Sequence, residues 1–503
     1  MPRLFLSVHQ LTYAYPTSVT PVIKNLNCQF EIGWTGIVGP NGCGKTTLLK
    51  LITGHIQADE GQIVLPGKTV YCEQRTDSMP AAFPHLMQDY SRLAIRLKNQ
   101  LKIGDNWKNR WHSLSHGERK RIQLAVALFQ EPDVLAIDEP TNHLDQEAQH
   151  ILFNALSSFR GIGLLVSHDR QLLDDLCAHT LFMHHSGNIL RKGNYSTTYT
   201  DLQNEEAFKA HQAESIKRQI RKLNNEIKDR QHKAAQANQN RSKKHIDKKD
   251  HDAKAKKDLG RLTGKGAVEG QIKKRLESRM HRLEASHQTL RWQKQSPVGI
   301  RINSSAQTSE TLLFHLQPIE MTMGDRTLAV PDIQFKPGER VGLIGPNGTG
   351  KSTLFRSIVD QLPLKKENFI YIPQEIDSEA AKNRMETLHT FAKDQIARLM
   401  TIISRLGSDP EQLLRSTIPS PGEMRKLMLA QGLMKNLRLI IMDEPTNHMD
   451  LPSIESVEQA LNQCTCAMLL VSHDLRSLSE LEVHFWKIEE AGEKRNKVSC
   501  IET

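Results

Sequence analysis

The sequence is dominated by an internal repeat, in which three short motifs occur twice and in the same order. The first motif reads Gly39-Pro40-Asn41-Gly42-Cys43-Gly44-Lys45-Thr46 and returns as Gly345-Pro346-Asn347-Gly348-Thr349-Gly350-Lys351-Ser352. The run Asp-Glu-Pro-Thr-Asn-His occupies 138–143 and again 443–448, and Val-Ser-His-Asp occupies 166–169 and again 471–474. The copies lie 305 or 306 residues apart. Because chance does not align three separate motifs in this way, the sequence predicts a tandem duplication.

Each copy is predicted to be an α/β domain built on a parallel sheet. Continuous apolar runs precede the motif loops, at 134–137 and 162–166 in the first copy and at 439–442 and 468–471 in the second. Strands of this kind are buried on both faces, as in parallel sheets covered by helices. We therefore predict domains at residues 1–200 and 298–503, with a segment of different character at 201–297.

That middle segment is predicted to be a helical hairpin. Residues recur at the three- and four-residue spacing of one helix face. The first stripe is Ile216, Ile220, Leu223 and Ile227, and the second is Leu276, Met280, Leu283, His287 and Leu290, with His287 as its one polar member. Between the two stripes stand four glycines, which favour a turn: Gly260, Gly264, Gly266 and Gly270. We expect one helix to about residue 246, a basic tip to about residue 270, and a helix back.

Positive charge is concentrated in the same segment. Residues 201–295 contain 25 Lys and Arg against 13 Asp and Glu, a net charge of +12, whereas the whole chain carries +10. The rest of the chain is therefore close to neutral. A charge run of this kind can be a merely solvated face, but its confinement between two near-neutral domains favours a polyanionic partner.

Composition excludes several other classes of protein. No apolar run approaches the 18 residues of a membrane-spanning helix, and residues 1–9 are typical of a first strand rather than a signal peptide, so we expect a cytoplasmic location. The seven cysteines form no C-x-x-C pair, which disfavours zinc and iron–sulfur sites. We expect them to be free thiols.

The first motif has the pattern of a phosphate-binding loop. In G-x-x-x-x-G-K-[S/T] the glycines let backbone N–H groups surround phosphates at a helix N-terminus. Lys45 and Lys351 are expected to reach the β- and γ-phosphates of ATP. Thr46 and Ser352 are expected to hold Mg²⁺ through their hydroxyls, with Thr47 and Thr353 next in the loop.

The other two motifs supply the groups that hydrolysis requires. Asp138 and Asp443 end apolar strands and are expected to bind Mg²⁺, directly or through water. Glu139 and Glu444 follow them, where a carboxylate can polarise the attacking water. A lone histidine is usually a packing residue, but His168 and His473 recur at the same offset, and we assign both to contact with the γ-phosphate.

Together these motifs resemble those of ATP-binding cassette proteins with two cassettes. That family carries a Leu-Ser-Gly-Gly-Gln signature, which is matched here with departures at its first glycine and final glutamine, in Ser115, Gly117 and Glu118 and in Ser420, Gly422 and Glu423. Its glutamine loop matches Gln74 and Gln374. Its adenine-stacking aromatic matches Tyr15, whereas Met323 stands at that place in the second cassette.

The resemblance implies that the two cassettes of one chain close head to tail over two ATP molecules, in a monomer. One site would then combine Lys45, Glu139 and His168 with the signature residues Ser420 and Gly422. The other would combine Lys351, Glu444 and His473 with Ser115 and Gly117.

Among cassette proteins the chain most resembles the ABC-F family of twin-cassette translation factors. Thr-Asn-His-Leu-Asp at 141–145 and Thr-Asn-His-Met-Asp at 446–450 are especially similar to that family. The resemblance implies a ribosomal partner at the tRNA exit site, no membrane subunit, and a linker that contacts rRNA and tRNA. We expect the RNA contacts at the basic residues of the tip: Lys243, Lys244, Lys248, Lys249, Lys254, Lys256, Lys257, Arg261 and Lys265.

Several functions remain open at this point. A long linker, with no arm inserted in the first cassette, resembles the members that protect ribosomes from antibiotics. A housekeeping or regulatory translation factor is the alternative. The ATPase subunit of a transporter is a weaker alternative, since it would not require a long basic hairpin between its cassettes.

Overall fold

The computed structural model describes residues 5–18, 20–142, 144–184, 187–241, 265–291, 312–365, 367–388, 390–416, 419–492 and 495–501. The chain divides into two compact units. One unit contains both repeats, as residues 1–198 and 296–503, and the other is residues 199–295.

The first cassette is built on a six-stranded sheet in the order β5-β6-β7-β3-β8-β9. Its strands are β3 (Gly33–Val38), β5 (Thr69–Cys72), β6 (Val134–Asp138), β7 (Ile162–Val166), β8 (Cys177–His184) and β9 (Gly187–Lys192). All neighbours are parallel except β8 and β9. A separate antiparallel sheet contains β1 (Phe5–Tyr13), β2 (Ile23–Glu31) and β4 (Glu60–Val64).

Helices of the first cassette follow the motif strands. They are α1 (Lys45–Ile52), α2 (Phe83–Gln88), α3 (Arg92–Gln100), α4 (His116–Phe129), α5 (Gln146–Ser157) and α6 (Arg170–Leu176), with a 3₁₀ helix at Trp107–Ser113. Every residue of β6 and β7 is buried. The predicted parallel sheet with doubly buried central strands is therefore confirmed.

The second cassette has an eight-stranded sheet in the order β11-β12-β19-β18-β14-β17-β16-β15. Its strands are β11 (Ile319–Met323), β12 (Arg326–Val330), β14 (Arg340–Ile344), β15 (Phe369–Ile372), β16 (Leu439–Asp443), β17 (Ala467–Val471), β18 (His484–Gly492) and β19 (Arg495–Ile501). The short strands β10 (Phe314–Leu316) and β13 (Ile333–Phe335) pair separately. Here the antiparallel hairpin joins the main sheet through β12 and β19.

In the unit of residues 199–295 the described structure is helical. Helix α7 (Tyr195–Arg241) enters it, and α8 (Lys265–Arg291) follows the tip. Leu223 and Ile227, from the first predicted stripe, are buried. The predicted helices are thus confirmed within the described ranges, and residues 242–264 of the predicted tip lie outside them. Because α8 already begins at Lys265, the prediction of a tip to about residue 270, with Gly266 and Gly270 in its turn, is wrong at its end. The boundaries 200 and 298 remain predictions.

The remaining helices belong to the second cassette. They are α9 (Lys351–Gln361), α10 (Ser378–Leu388), α11 (Lys393–Arg405), α12 (Pro410–Arg415), α13 (Pro421–Leu433), α14 (Leu451–Asn462) and α15 (Leu475–Glu480). Across the described ranges, every helix is too short or too polar to cross a membrane.

Candidate active site

Each phosphate loop connects a central strand to a helix that begins at its lysine. Gly44 and Gly350 precede α1 and α9 with φ angles of 101° and 102°, a left-handed conformation that glycine adopts without strain. Lys45 Nζ donates to the Gly39 carbonyl at 2.8 Å, and Lys351 Nζ donates to the Gly345 carbonyl at 2.7 Å. Both ammonium groups are therefore held against the loop that would surround the phosphates.

The predicted metal ligands lie together in both cassettes. Thr46 Oγ1 donates to Asp138 Oδ2 at 2.7 Å, and Ser352 Oγ donates to Asp443 Oδ2 at 3.2 Å. The other carboxylate oxygen of Asp138, Oδ1, is buried without a hydrogen-bond partner. Hydroxyl and carboxylate oxygens are the ligands that Mg²⁺ prefers, and a buried oxygen without a partner suits a cation. These residues therefore fit the predicted ion.

Glu139 and Glu444 both have a backbone conformation that is uncommon outside glycine. Their φ angles are 45° and 53°, in the left-handed region. Glu139 Oε2 accepts the backbone N–H of His168 at 3.3 Å, and Glu444 Oε2 accepts that of His473 at 3.3 Å. The same turn thus directs each carboxylate toward its predicted histidine partner.

Burial sets the protonation of these pairs. Glu139 Oε1 lies 3.1 Å from His168 Nε2, and Glu444 Oε1 lies 3.6 Å from His473 Nε2. Desolvation raises the pKa of both carboxyl groups to about 8. Desolvation, followed by the charge of the loop lysine, lowers the pKa of His168 to about 3 and of His473 to about 4. A neutral imidazole therefore accompanies a carboxyl whose raised pKa makes its ionised form a stronger base than an exposed glutamate.

Three further residues support these sites and were not predicted from the sequence. Tyr71 donates its hydroxyl proton to Asp138 Oδ2 at 3.1 Å. Lys120, on α4, donates to the Glu73 carbonyl at 2.7 Å. Arg425, on α13, donates to three backbone carbonyls, those of Gln374, Glu444 and Asn447. Lys120 and Arg425 lie 305 residues apart, which is the repeat offset. This recurrence of a basic residue is the sequence signal from which both could have been predicted.

One cavity of about 750 Å³ brings the two sets of predicted residues together. From the first cassette it is lined by Tyr15, Asn41, Gly42, Gly44, Lys45, Thr46, Thr47, Gln74, Asp138, Glu139 and His168. From the second it is lined by Asn347, Gln374, Glu444 and His473. The backbone N–H of Asn41 also donates to Asp450 Oδ2 of the second cassette at 2.6 Å. Hence the first phosphate loop contacts the segment that follows the second Asp-Glu motif.

The signature residues have a different role in this structure. Ser115 and Ser420 cap α4 and α13, each accepting a backbone N–H at 3.2 Å from Glu118 and Glu423 respectively. Neither serine, nor Gly117 or Gly422, lines the described cavity. Their predicted contact with the phosphates of the opposite cassette stays a prediction.

The residues at the two adenine positions differ as their sequence predicts. Tyr15 lines the cavity and shares a hydrogen bond with Thr47 Oγ1 at 2.8 Å. Met323 is half-buried, and a Cβ at Gly350 would lie 2.2 Å from its sulfur, so its thioether packs on the second phosphate loop.

Of the predicted RNA contacts, those from Lys243 to Arg261 lie outside the described residues. Lys265 begins α8, and its side chain is not described.

Comparison with known proteins places this geometry in a family. Residues 23–142 and 328–447 each match the family described as ABC transporter. The ribosome protection protein VmlR of Bacillus subtilis is 29% identical, over 92% of this chain and 83% of its own. The tylosin resistance ATP-binding protein TlrC of Streptomyces fradiae is 28% identical, over 95% and 96%. The energy-dependent translational throttle protein EttA of Escherichia coli is 24% identical, over 98% and 93%.

Solved structures show the same fold. Archaeal ABCE1, in a model of ribosome-bound Pelota and ABCE1, matches with a TM-score of 0.60 and 16% identity, over 97% of this chain and 78% of that one. ABCE1 bound to the archaeal stalk protein aP1 matches with a TM-score of 0.58. With two complete sets of nucleotide-site residues, two ABC transporter domains, and ABC-F relatives aligned along nearly its whole length, the chain is a twin-cassette ATPase whose relatives are ABC-F proteins.

Proposed function

We propose that this ATPase binds the ribosome in the region of the tRNA exit site and acts on translation as a protection factor against antibiotics. This proposal depends mainly on the order of the two cassettes and the basic helical segment along one chain. Two complete cassettes flank a helical segment with a net charge of +12, and a ribosome protection protein aligns with 92% of that chain. A basic segment between two ATP-driven domains suits a large RNA partner.

ATP hydrolysis is assigned to the two sets of motif residues, of which Lys351, Ser352 and Asp443 lie outside the described cavity. Lys45 and Lys351 hold the phosphates, and Thr46 with Asp138, and Ser352 with Asp443, hold Mg²⁺. The bound ion would neutralise phosphate charge. Glu139 and Glu444 orient water and accept its proton, while His168 and His473 contact the γ-phosphate.

Closure of the cassettes is assigned to a single chain. Both cassettes lie in one compact unit, which supports closure within a monomer that supplies both halves of each site. Ser420 and Gly422 would complete the first site and Ser115 and Gly117 the second, once their helices approach the opposite phosphate loop. The basic linker would contact rRNA and tRNA, and no membrane subunit is involved.

A regulatory role in translation is the second candidate. The similarity to EttA, a translational throttle protein, covers 98% of this chain. Deleting the gene separates the two roles. Loss of protection against a ribosome-targeting antibiotic, with normal growth in its absence, would favour protection. Altered translation without drug would favour regulation.

The first prediction tests ribosome binding through trapped ATP. Glu139→Gln combined with Glu444→Gln should retain ATP but hydrolyse it at least ~100-fold more slowly, about 2.7 kcal/mol of barrier. This variant should co-sediment with ribosomes in ATP, and imaging should place it at the tRNA exit region. The control is Lys45→Ala with Lys351→Ala, which should not be retained. Near-parental turnover would refute the assignment of the glutamates, whereas slow turnover without ribosome retention would refute the ribosomal role.

A further inference from the structure

One buried arginine joins the two cassettes directly beside their predicted catalytic histidines. Arg170 comes two residues after His168 and begins α6. Its guanidinium is 3% exposed and makes a two-pronged ion pair with Glu458, on α14 of the second cassette. The distances are 3.0 Å from Nη1 to Oε2 and 2.5 Å from Nη2 to Oε1. The carboxylate of Glu458 is only 4% exposed, so solvent screens this pair weakly.

The same guanidinium reaches the loop that carries the second histidine. Arg170 Nη2 lies 3.6 Å from Asp474 Oδ2, and Asp474 directly follows His473 in the chain. Asp474 also caps α15, accepting the backbone N–H of Ser477 at 3.0 Å. Arg170 therefore connects the two histidine loops through a charged contact: Asp169 alone separates it from His168, and its partner Asp474 is bonded directly to His473.

Each histidine loop is in turn bonded to its own glutamate. The backbone N–H of His168 donates to Glu139, and that of His473 donates to Glu444. A continuous series of bonds thus runs from Glu139 through Arg170 to Glu444. Coupling between distant sites can be carried by networks of hydrogen bonds and ion pairs, and a buried two-pronged arginine pair holds the two loops that it joins in a defined relation.

We infer that Arg170 is a positioning residue that couples the two ATP sites, so that occupation of one site changes nucleotide affinity at the other. The repeat offset places Leu475 at the equivalent position of the second cassette, and that leucine is 43% exposed. Arg170 therefore has no arginine at its equivalent position, although the next residue, Arg476, makes a more exposed ion pair of 2.9 Å back to Asp174 of the first cassette. This inference rests on the assignment of the two ATP sites and is independent of the ribosome.

The test measures ATP binding to the full-length protein in the absence of ribosomes. The protein carries Glu139→Gln and Glu444→Gln so that bound ATP is not hydrolysed during the measurement. Titration should give two stepwise dissociation constants, whose ratio after statistical correction is the coupling factor. We expect a factor of about 5 or more in either direction. Adding Arg170→Met together with Glu458→Met should bring the factor to within about twofold of one. The paired apolar replacement is chosen because it leaves no lone buried charge, so the fold is retained.

Two companion variants make the result specific. Arg170→Lys keeps the charge but not the two-pronged geometry, and should give an intermediate factor. Tyr195→Phe removes another bond between cassettes, from the Tyr195 hydroxyl to Glu455 at 3.0 Å, and should leave the factor unchanged. The inference is overturned if the apolar pair retains the parental factor, if Tyr195→Phe abolishes it equally, or if the parent shows no coupling. None of these outcomes bears on ribosome binding.

Discussion

At the residue scale, the two glutamates show how the fold places a reactive group under strain. A non-glycine residue in the left-handed region costs about 1–2 kcal/mol, and such strain persists where the surroundings fix it. Here the neighbouring histidine backbone fixes the carboxylate. The motif Asp-Glu predicts which residue is reactive. It does not reveal the backbone conformation, because that depends on the adjacent strand.

The buried histidines predict a particular loss of stability in acid. Their pKa values are lowered to about 3 and about 4, whereas an unfolded histidine titrates near 6.5. Between these values the two imidazoles bind more protons in the unfolded chain, so their contribution to stability falls as pH decreases below about 6.5. The raised pKa of Glu139 and Glu444 contributes in the opposite sense in both parent and variant. His168→Gln with His473→Gln should show a smaller decrease in melting temperature between pH 7.5 and 5. An equal decrease in parent and variant would contradict this origin.

The adenine positions predict unequal nucleotide sites. Tyr15 presents an aromatic face in the cavity, and stacking of a base on such a face contributes about 1–3 kcal/mol. The Lys351→Ala variant retains only the first site, and the Lys45→Ala variant retains only the second. The first site should bind ATP and GTP more tightly than the second. Fluorescent-nucleotide titration measures both. Tyr15→Met should abolish the difference, and equal affinities in the two lysine variants would rule out the asymmetry.

At the scale of elements, the buried cations of α4 and α13 connect the motif loops. The strands are well predicted from the sequence, because their apolar runs and the motifs that follow them recur in both copies. The sequence does not predict Lys120 or Arg425, since a cation on a helix usually faces solvent. The backbone carbonyls that accept hydrogen bonds from these two side chains are brought close to them only by the tertiary fold. Sheet order is likewise unpredicted, because it depends on contacts between distant residues.

Arg425 predicts a larger structural effect than its counterpart. Arg425→Met leaves three backbone carbonyls without their donor, and each unsatisfied buried group costs about 1–3 kcal/mol. We expect its free energy of unfolding, measured in urea, to fall by about 3 kcal/mol or more. Lys120→Met removes one such bond and is the matched control, with a loss of about 1–3 kcal/mol. Equal losses in the two variants would show that the additional carbonyls contribute nothing.

At the scale of the whole molecule, chemistry and charge are divided along the chain. The cassettes carry the nucleotide motifs, and residues 201–295 carry the excess of positive charge. Composition alone reveals this division. The tip contacts are beyond what the sequence and the described residues determine, because they depend on the shape of the RNA partner.

This division predicts that ribosome affinity and basal ATPase activity can be separated. Reversing Lys248, Lys249, Lys254, Lys256 and Lys257 to Glu should weaken ribosome binding and reduce its dependence on salt, because fewer counterions are released from RNA. ATP turnover without ribosomes should match the parent. Co-sedimentation across a series of salt concentrations measures the effect. Parental binding and salt dependence in the reversed protein would mean that the linker is only a tether.

The position of β19 has a consequence for how the protein folds as it is synthesised. In the first cassette the antiparallel sheet closes within residues 5–64, so it can form early. In the second, β19 lies between β12 and β18, with Arg495 paired to Thr327. The hairpin of β11 and β12 therefore cannot join the sheet until residues 495–501 have been synthesised. Contacts of such long range in sequence form slowly. Because domains fold as units in order of synthesis, the first phosphate loop forms before the second, and a newly made chain passes through a stage with only one folded cassette.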